Sequence, residues 1–296
     1  MRVTTSTAVD KPVELSSNGL AIPFDDAHFA PMTDSTALVD DRFALRARFV
    51  RDGYVLLRSV LDRERVFDLR ADYFGRFDPG LLAHGTAARD GVFSGTMPPG
   101  LPPYGVAGHP AHDIVRSEIF DRFTRDPALG AVASSLLDAP VELLARRILR
   151  HFHNASAIAS RAHVDFDYLD RGTHDFITAW IPLGDCPIAC GGIIYLENSH
   201  HSGRAALDRL RTDTDRPDDR RPVSNDLELT AHALGGRWRW ADYAAGDVVL
   251  HSPHLVHATL DNRSALMRLS ADVRFVKAGA EIDPRWTSDW SADDGY

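Results

Sequence analysis

His163 and Asp165 stand one residue apart inside the aromatic run "RAHVDFDYLD". In a strand, residues i and i+2 project to the same face, so an imidazole and a carboxylate would enter one space together. Such a pair holds a divalent metal when a third ligand joins it. The later stretch "GDVVLHSPHLVHATLDNRSALMRLSADVRF" offers His251, His254 and His257. One histidine from there completes two imidazoles and one carboxylate on one face of a metal. That is the ligand set of non-haem iron(II) oxygenases, with positions left open for a chelating co-substrate, dioxygen or water. A strand's solvent face is often polar as well, so His-x-Asp by itself is a weak signal and the surrounding residues must decide.

A co-substrate such as 2-oxoglutarate chelates iron through its keto-acid end and leaves a distal carboxylate to be held. A guanidinium suits that task, because its planar fork binds a carboxylate bidentately and stays charged when desolvated. Arg268 lies eleven residues beyond His257, on the alternating run "LMRLSADVRF". A hairpin turning at "DNRS" would bring that run beside the His257 strand. Arg274 shares the face of Arg268, so spacing leaves both arginines open.

The elements that must position these residues fall into two regions. Residues 41–140 read as helical, after a polar tail over 1–40. "DRFALRARFVRDG" spaces Phe43, Leu45, Phe49 and Val50 for an amphipathic helix ending near Gly53. "YVLLRSV" reads as a short strand, and Asp62 is placed to cap a second helix. A Gly- and Pro-rich irregular loop covers 84–112, and helix is expected on either side of Asp126-Pro127. Residues 141–280 change to short β runs: "VELLARRILRHF", "FITAWIPL", "GGIIYLEN", "GDVVLHS", "LVHATL" and "RLSADVRFV". Many short strands without intervening helices imply an antiparallel double-stranded β-helix, a jelly roll of the cupin kind. The charged segment 211–226 reads as a mobile surface insertion. The expectation is one domain over 41–296.

These residues resemble the phytanoyl-CoA dioxygenase family of Fe(II)/2-oxoglutarate-dependent oxygenases, from about Phe43 to Phe275. "FVRDGYVLLRSVLDRERVFDLR" is similar to the family's entry signature, and "HVDFDY" to its His-x-Asp. "AWIPLGDCPIACGGIIYLENSHHSG" matches its central segment, and "GDVVLHSPHLVHATLDNRSALMRLS" the stretch with the distal His and the Arg. The resemblance implies His257 as third metal ligand and Arg268 as the 2-oxoglutarate anchor. It also implies Thr259 as a hydroxyl on the same carboxylate and Trp180 as a residue of the co-substrate pocket. Three departures stand out: Cys190 in place of Asn, "LENSH" in place of Pro-Gly-Ser-His, and Val164 in place of Gln. The family's halogenases lack the carboxylate; Asp165 is present, so hydroxylation-type chemistry is expected, with succinate and CO2 as co-products.

The formal net charge is −9 with no Lys/Arg-dense block, which argues against nucleic acid and anionic membranes as partners. No apolar run is long enough to span a bilayer and no secretory h-region is seen, so a cytoplasmic location is expected. Cys186 and Cys190 read as structural thiols. The substrate is expected to be a small molecule, such as an antibiotic-type natural-product intermediate. The acidic balance and Asp167, on the strand face of Asp165, favour a cationic one. His254 is a candidate for the pocket edge. Trp286 and Trp290 read as packing residues or as a flap over the pocket. Two alternatives compete: a cupin-type isomerase or hydrolase without 2-oxoglutarate, and a non-catalytic small-molecule-binding jelly roll.

Overall fold

The computed structural model describes residues 15–102, 104–155, 158–211, 219 and 221–291. The chain enters through β1 (Leu15–Ser17), β2 (Leu20–Ile22) and β3 (Phe29–Pro31). Helix α1 (Arg42–Asp52) precedes β4 (Tyr54–Leu57), and α2 (Arg63–Phe74), α3 (Ala111–Ile114), α4 (Glu118–Thr124) and α5 (Pro127–Leu137) follow. Next come β5 (Val141–Leu143), β6 (Ile148–Phe152), β7 (Phe176–Pro182), β8 (Ile193–Leu196), α6 (Arg204–Leu210) and α7 (Leu227–Leu234). The chain closes with β9 (Trp238–Trp240), β10 (Val248–His251), β11 (His257–Thr259) and β12 (Arg268–Lys277).

Local chemistry explains the helix ends. The Asp41 carboxylate accepts from the backbone N–H of Phe43 and Ala44, satisfying two donors the first turn of α1 leaves open. Gly53 closes the same helix at φ 75°, and a Cβ there would meet His200 Nδ1 at 2.8 Å. Asp62 caps α2 by accepting from Arg65 N at 2.8 Å, and Asp126 caps α5, with Pro127 at its first position.

The strands form a double-stranded β-helix. The major sheet runs β4-β10-β7-β12-β5, with β6 also pairing β12; the minor sheet runs β11-β8-β9-β3. The two touch through their inner faces, where Tyr54 stacks on Tyr195 at 5.5 Å. Period-2 alternation divides the major sheet. Ile177, Ala179 and Ile181 of β7 and Leu269, Ala271, Val273 and Phe275 of β12 face the helices, joining Leu45, Val66, Leu69, Leu129 and Leu136 in one core. Burying each of the larger side chains among these stabilises by about 1.5–3 kcal/mol, so the helical layer holds this sheet rigid behind whatever its inner face carries. Thr178 and Trp180, and Asp272 and Arg274, point the other way, into the barrel.

Two expectations are corrected here. Residues 15–40 are not a free tail: β3 pairs parallel with β9, and Leu15, Ile22 and Phe29 sit in the minor-sheet core. Three apolar residues spaced among polar ones give no periodic signal, yet each finds a slot; residues 1–14 lie outside the described residues. On α1 only Leu45 is fully buried, while Phe43 and Val50 are exposed, because the helix touches the sheet along a narrower stripe than its apolar content suggests. Cys186 and Cys190 are free and buried. Among the described residues no helix is long and apolar enough to cross a membrane.

Candidate metal centre

His163 and His257 are joined by their backbones: each N–H donates to the other's carbonyl at 3.0 Å. His257 lies on β11, but His163 belongs to an isolated bridge, not a regular strand. Asp165 then opens a 3-10 turn, Asp165–Tyr168. A tight turn thus converges the imidazole and carboxylate that a shared strand face was expected to align. Nε2 of His163 and of His257 lie 3.8 and 3.7 Å from Asp165 Oδ1. One ligand atom from each of the three residues falls within 4.8 Å of the others.

The outer nitrogens set the inner ones. His163 Nδ1 meets the Arg161 carbonyl at 2.7 Å and His257 Nδ1 the Leu255 carbonyl at 2.9 Å. A carbonyl only accepts, so Nδ1 carries the proton and the Nε2 lone pair faces the centre. Burial pushes the His257 pKa well below the usual imidazole range, and His163 and His251 add to this; burial lowers His163 too. Burial works to raise Asp165, but the Arg274 charge and the His251 and His257 imidazoles hold it well below the usual carboxylate range. Two neutral imidazoles and an anionic carboxylate, all buried, are donors that fit a divalent transition metal.

Three side chains surround the carboxylate: Arg274, which spacing offers as a co-substrate anchor, His251, offered as a metal ligand, and Thr178, not named from the sequence. The Thr178 hydroxyl donates to Asp165 Oδ2. Arg274 Nη2 lies 3.2 and 3.3 Å from the two oxygens. His251 Nε2 stands 3.4 Å from Oδ2, without hydrogen-bond geometry, while its Nδ1 meets the Tyr195 hydroxyl at 3.0 Å. Their signal in the sequence was present: Thr178 and Trp180 alternate through β7, and Arg268, Ser270, Asp272 and Arg274 take every second place on β12.

The expected hairpin does not form. β11 pairs β8 in the minor sheet and β12 pairs β6 and β7 in the major one. The intervening residues cross between sheets, as successive strands of a jelly roll do. Arg268 therefore meets Thr259 across the barrel, with Nη2 3.3 Å from Thr259 Oγ1, and its Nη1 donates to the Gly191 carbonyl. It is buried over the Phe152 ring at 4.1 Å, and its Nε has no hydrogen-bond partner. Burial lowers its pKa to about 10, which leaves it protonated at neutral pH. Thr259, Trp180 and the three candidate ligands line one inner chamber. The two arginines separate by position: Arg268 goes to Thr259, Arg274 to Asp165.

An outer cavity of about 610 Å³ joins this chamber, sharing Arg150, Ser160, His163, Asp165 and Arg274 with it. Six arginines and two aspartates are among its lining residues, and Trp286 and Trp290 form part of its wall. Asp167 is not on a strand face with Asp165; it pairs with Arg211 and, at 3.4 Å, with Arg204. His254 packs its ring 4.8 Å from Phe166 and lines neither chamber. Within the 211–226 insertion, residues 212–218 and 220 lie outside the described residues, so its expected mobility falls largely there. Asp219, Arg221 and Pro222 line the outer cavity.

Comparison with known proteins gives the family. The profile of the family described as phytanoyl-CoA dioxygenase (PhyH) matches residues 49–270. The chain is 28% identical over 271 residues to a 1-deoxypentalenic acid 11-beta-hydroxylase of Streptomyces arenae, covering 85% of this chain and 87% of that protein. The Streptomyces exfoliatus enzyme of the same name is 26% identical over 83% and 85%. In fold, the chain is similar to the epimerase SnoN, solved with Fe3+, alpha ketoglutarate and nogalamycin RO (TM-score 0.58, 22% identity, 83% and 87% covered). The match of three quarters of its length to one profile makes the chain a member of the phytanoyl-CoA dioxygenase family.

Proposed function

We propose that the protein is an Fe(II)/2-oxoglutarate-dependent dioxygenase that oxidises an unactivated C–H bond of a small molecule, with His163, Asp165 and His257 holding the metal. Arg268 with Thr259 receives the distal carboxylate of 2-oxoglutarate, and Trp180 walls the chamber between the two. The observation that carries this reading is the buried Arg268. It is charged, has an unpartnered Nε, and meets Thr259, which lines the same chamber as the three ligands. A metal isomerase or hydrolase has no use for such an anchor, and neither does a passive binding module.

Bound iron(II) and 2-oxoglutarate supply, with dioxygen, the oxidising power that takes hydrogen from the substrate, leaving succinate and CO2. The chain's own part is orientation and exclusion of water. Backbone carbonyls fix the two imidazoles, and Thr178 and Arg274 hold the Asp165 carboxylate. Trp180 and Ile193 give the inner chamber apolar walls. Hydroxylation is the favoured outcome, because two relatives matched over most of their length are named hydroxylases. The outer cavity has the volume of a small-molecule site, consistent with a natural-product intermediate.

The test is an anaerobic titration with Fe(II) and 2-oxoglutarate, reading the weak visible charge-transfer band of the chelate. The band should form with the wild type, need far more 2-oxoglutarate in Arg268→Gln, and vanish in Asp165→Ala. Iron binding without a band at any 2-oxoglutarate concentration would sink the reading.

A further inference from the structure

The outer cavity is cationic although the chain as a whole carries −9. Arg146, Arg150, Arg161, Arg221, Arg274 and Arg285 line it, against Asp165 and Asp219. Much of that charge is spoken for, since Arg146 and Arg161 have partners of their own. Arg221 pairs with Asp219 at 2.7 Å, Arg285 forks onto Asp283 and Asp170, and Arg150 gives Nε to Asp272 at 2.6 Å. A guanidinium has five N–H donors, so one carboxylate leaves others to offer. Arg274 is 3% exposed, two of its nitrogens, Nε and Nη1, have no hydrogen-bond partner, and among the described residues the carboxylate it meets is Asp165. Charged donors buried without acceptors are costly in a finished core and are what a subsite for an anion looks like before the anion arrives.

Arg150 and Arg274 both line the inner chamber and the outer cavity, so they stand where the two join. Arg274 is stacked on Trp286 at 4.3 Å, which holds its plane. Beside them Ile148, Ile158 and Trp290 give the cavity apolar surface. We propose that this cavity selects an organic acid: the substrate's carboxylate lies on Arg150 and Arg274, and its apolar body on Ile148, Ile158, Trp286 and Trp290. The proposal rests on the oxygenase reading of the same site and reverses the cationic preference drawn from overall charge. Net charge describes the whole surface, whereas a ligand meets only the cavity lining.

The test is a ligand-observed NMR titration with matched pairs, 1-naphthoic acid against 1-naphthamide and 1-adamantanecarboxylic acid against its amide. Each pair is run on apo protein and on protein loaded with Ni(II) and 2-oxoglutarate. The acid should bind at least about tenfold tighter than its amide, and the ratio should fall to near one in Arg274→Gln. Arg274→Lys keeps the charge and should keep much of the ratio, and Arg150→Lys should lower it in part while leaving Asp272 paired. Urea midpoints identify any variant that fails to fold. Amides binding as well as acids in both pairs overturns the proposal, as does a ratio that survives Arg274→Gln. If Arg274→Gln instead costs affinity for 2-oxoglutarate and spares the ratio, the carboxylate on Arg274 is the co-substrate's and the substrate assignment falls. Acid selectivity in a protein that binds no 2-oxoglutarate would uphold the cavity and defeat the oxygenase reading.

Discussion

The two faces of β12 are equally buried and chemically opposite. From Arg268 to Phe275 no residue is more than 5% exposed. Leu269, Ala271, Val273 and Phe275 pack against the helices, while Arg268, Ser270, Asp272 and Arg274 face the barrel interior. The apolar face stabilises through area removed from water. The polar face works against stability, because Arg268 Nε, Ser270 Oγ and Arg274 Nε and Nη1 are buried without partners. Burial therefore does not distinguish core from site on this strand; hydrogen-bond satisfaction does. The fold tolerates the unsatisfied face because the satisfied one, six strands wide and backed by α1, α2, α4 and α5, holds the sheet in place.

The sharpest way to break the comparison is at the carboxylate the polar face serves. Asp165→Ala should reduce succinate formation to background, and retention of 2-oxoglutarate turnover would remove Asp165 from the metal site. On the other face, Leu269→Ala should cost about 2–5 kcal/mol in urea unfolding, yet leave turnover per folded molecule close to wild type. A matching loss of turnover would mean that the two faces are not separable. Next comes Arg268→Lys, which keeps the charge but loses the fork. The KM for 2-oxoglutarate should rise by about ten- to a hundredfold, with little change in Fe(II) affinity by competition with a chromophoric chelator.

The smallest effect lies on β6, which repeats the pattern: Arg150 faces the cavity, and His151 faces the helices, 3.1 Å from the Tyr73 hydroxyl. Burial, then His109, His153 and Arg70, lowers the His151 pKa well below the imidazole value. Below about pH 6.5 the unfolded chain takes up a proton there that the folded chain refuses, so stability falls with pH by up to about 1.4 kcal/mol per unit. His109, lowered to about 4 mainly by burial, acts in the same direction. Urea midpoints at about pH 7.5 and about pH 5.5 should therefore differ less in His151→Phe than in the wild type; an unchanged difference would place the acid sensitivity elsewhere.

Much of this architecture is readable from the chain. The alternating runs from Val141 onward mark β5 to β8 and β10 to β12, because period-2 patterning is local and survives any tertiary arrangement. Asp41, Asp62 and Asp126 announce helix starts, since a cap acts within three residues. The three-residue strands β1 to β3 and β9 escape notice, whereas β5 and β11, equally short, are marked by the apolar runs around them. At the site, His163, Asp165 and His257 can be named from residue type and spacing together with the family's motifs.

What only the tertiary structure decided is what lies across a gap in sequence. It put β11 and β12 in opposite sheets, so that Arg268 meets Thr259 over the barrel and Arg274 goes to Asp165. It also brought Thr178 and His251 to the same carboxylate and tied Asp167 to Arg211. Above all, it gathered arginines from distant parts of an acidic chain around one cavity. Alternation states which face of its own strand a residue occupies, but the partner it meets there depends on how the sheets close, and that is settled by packing along the whole chain.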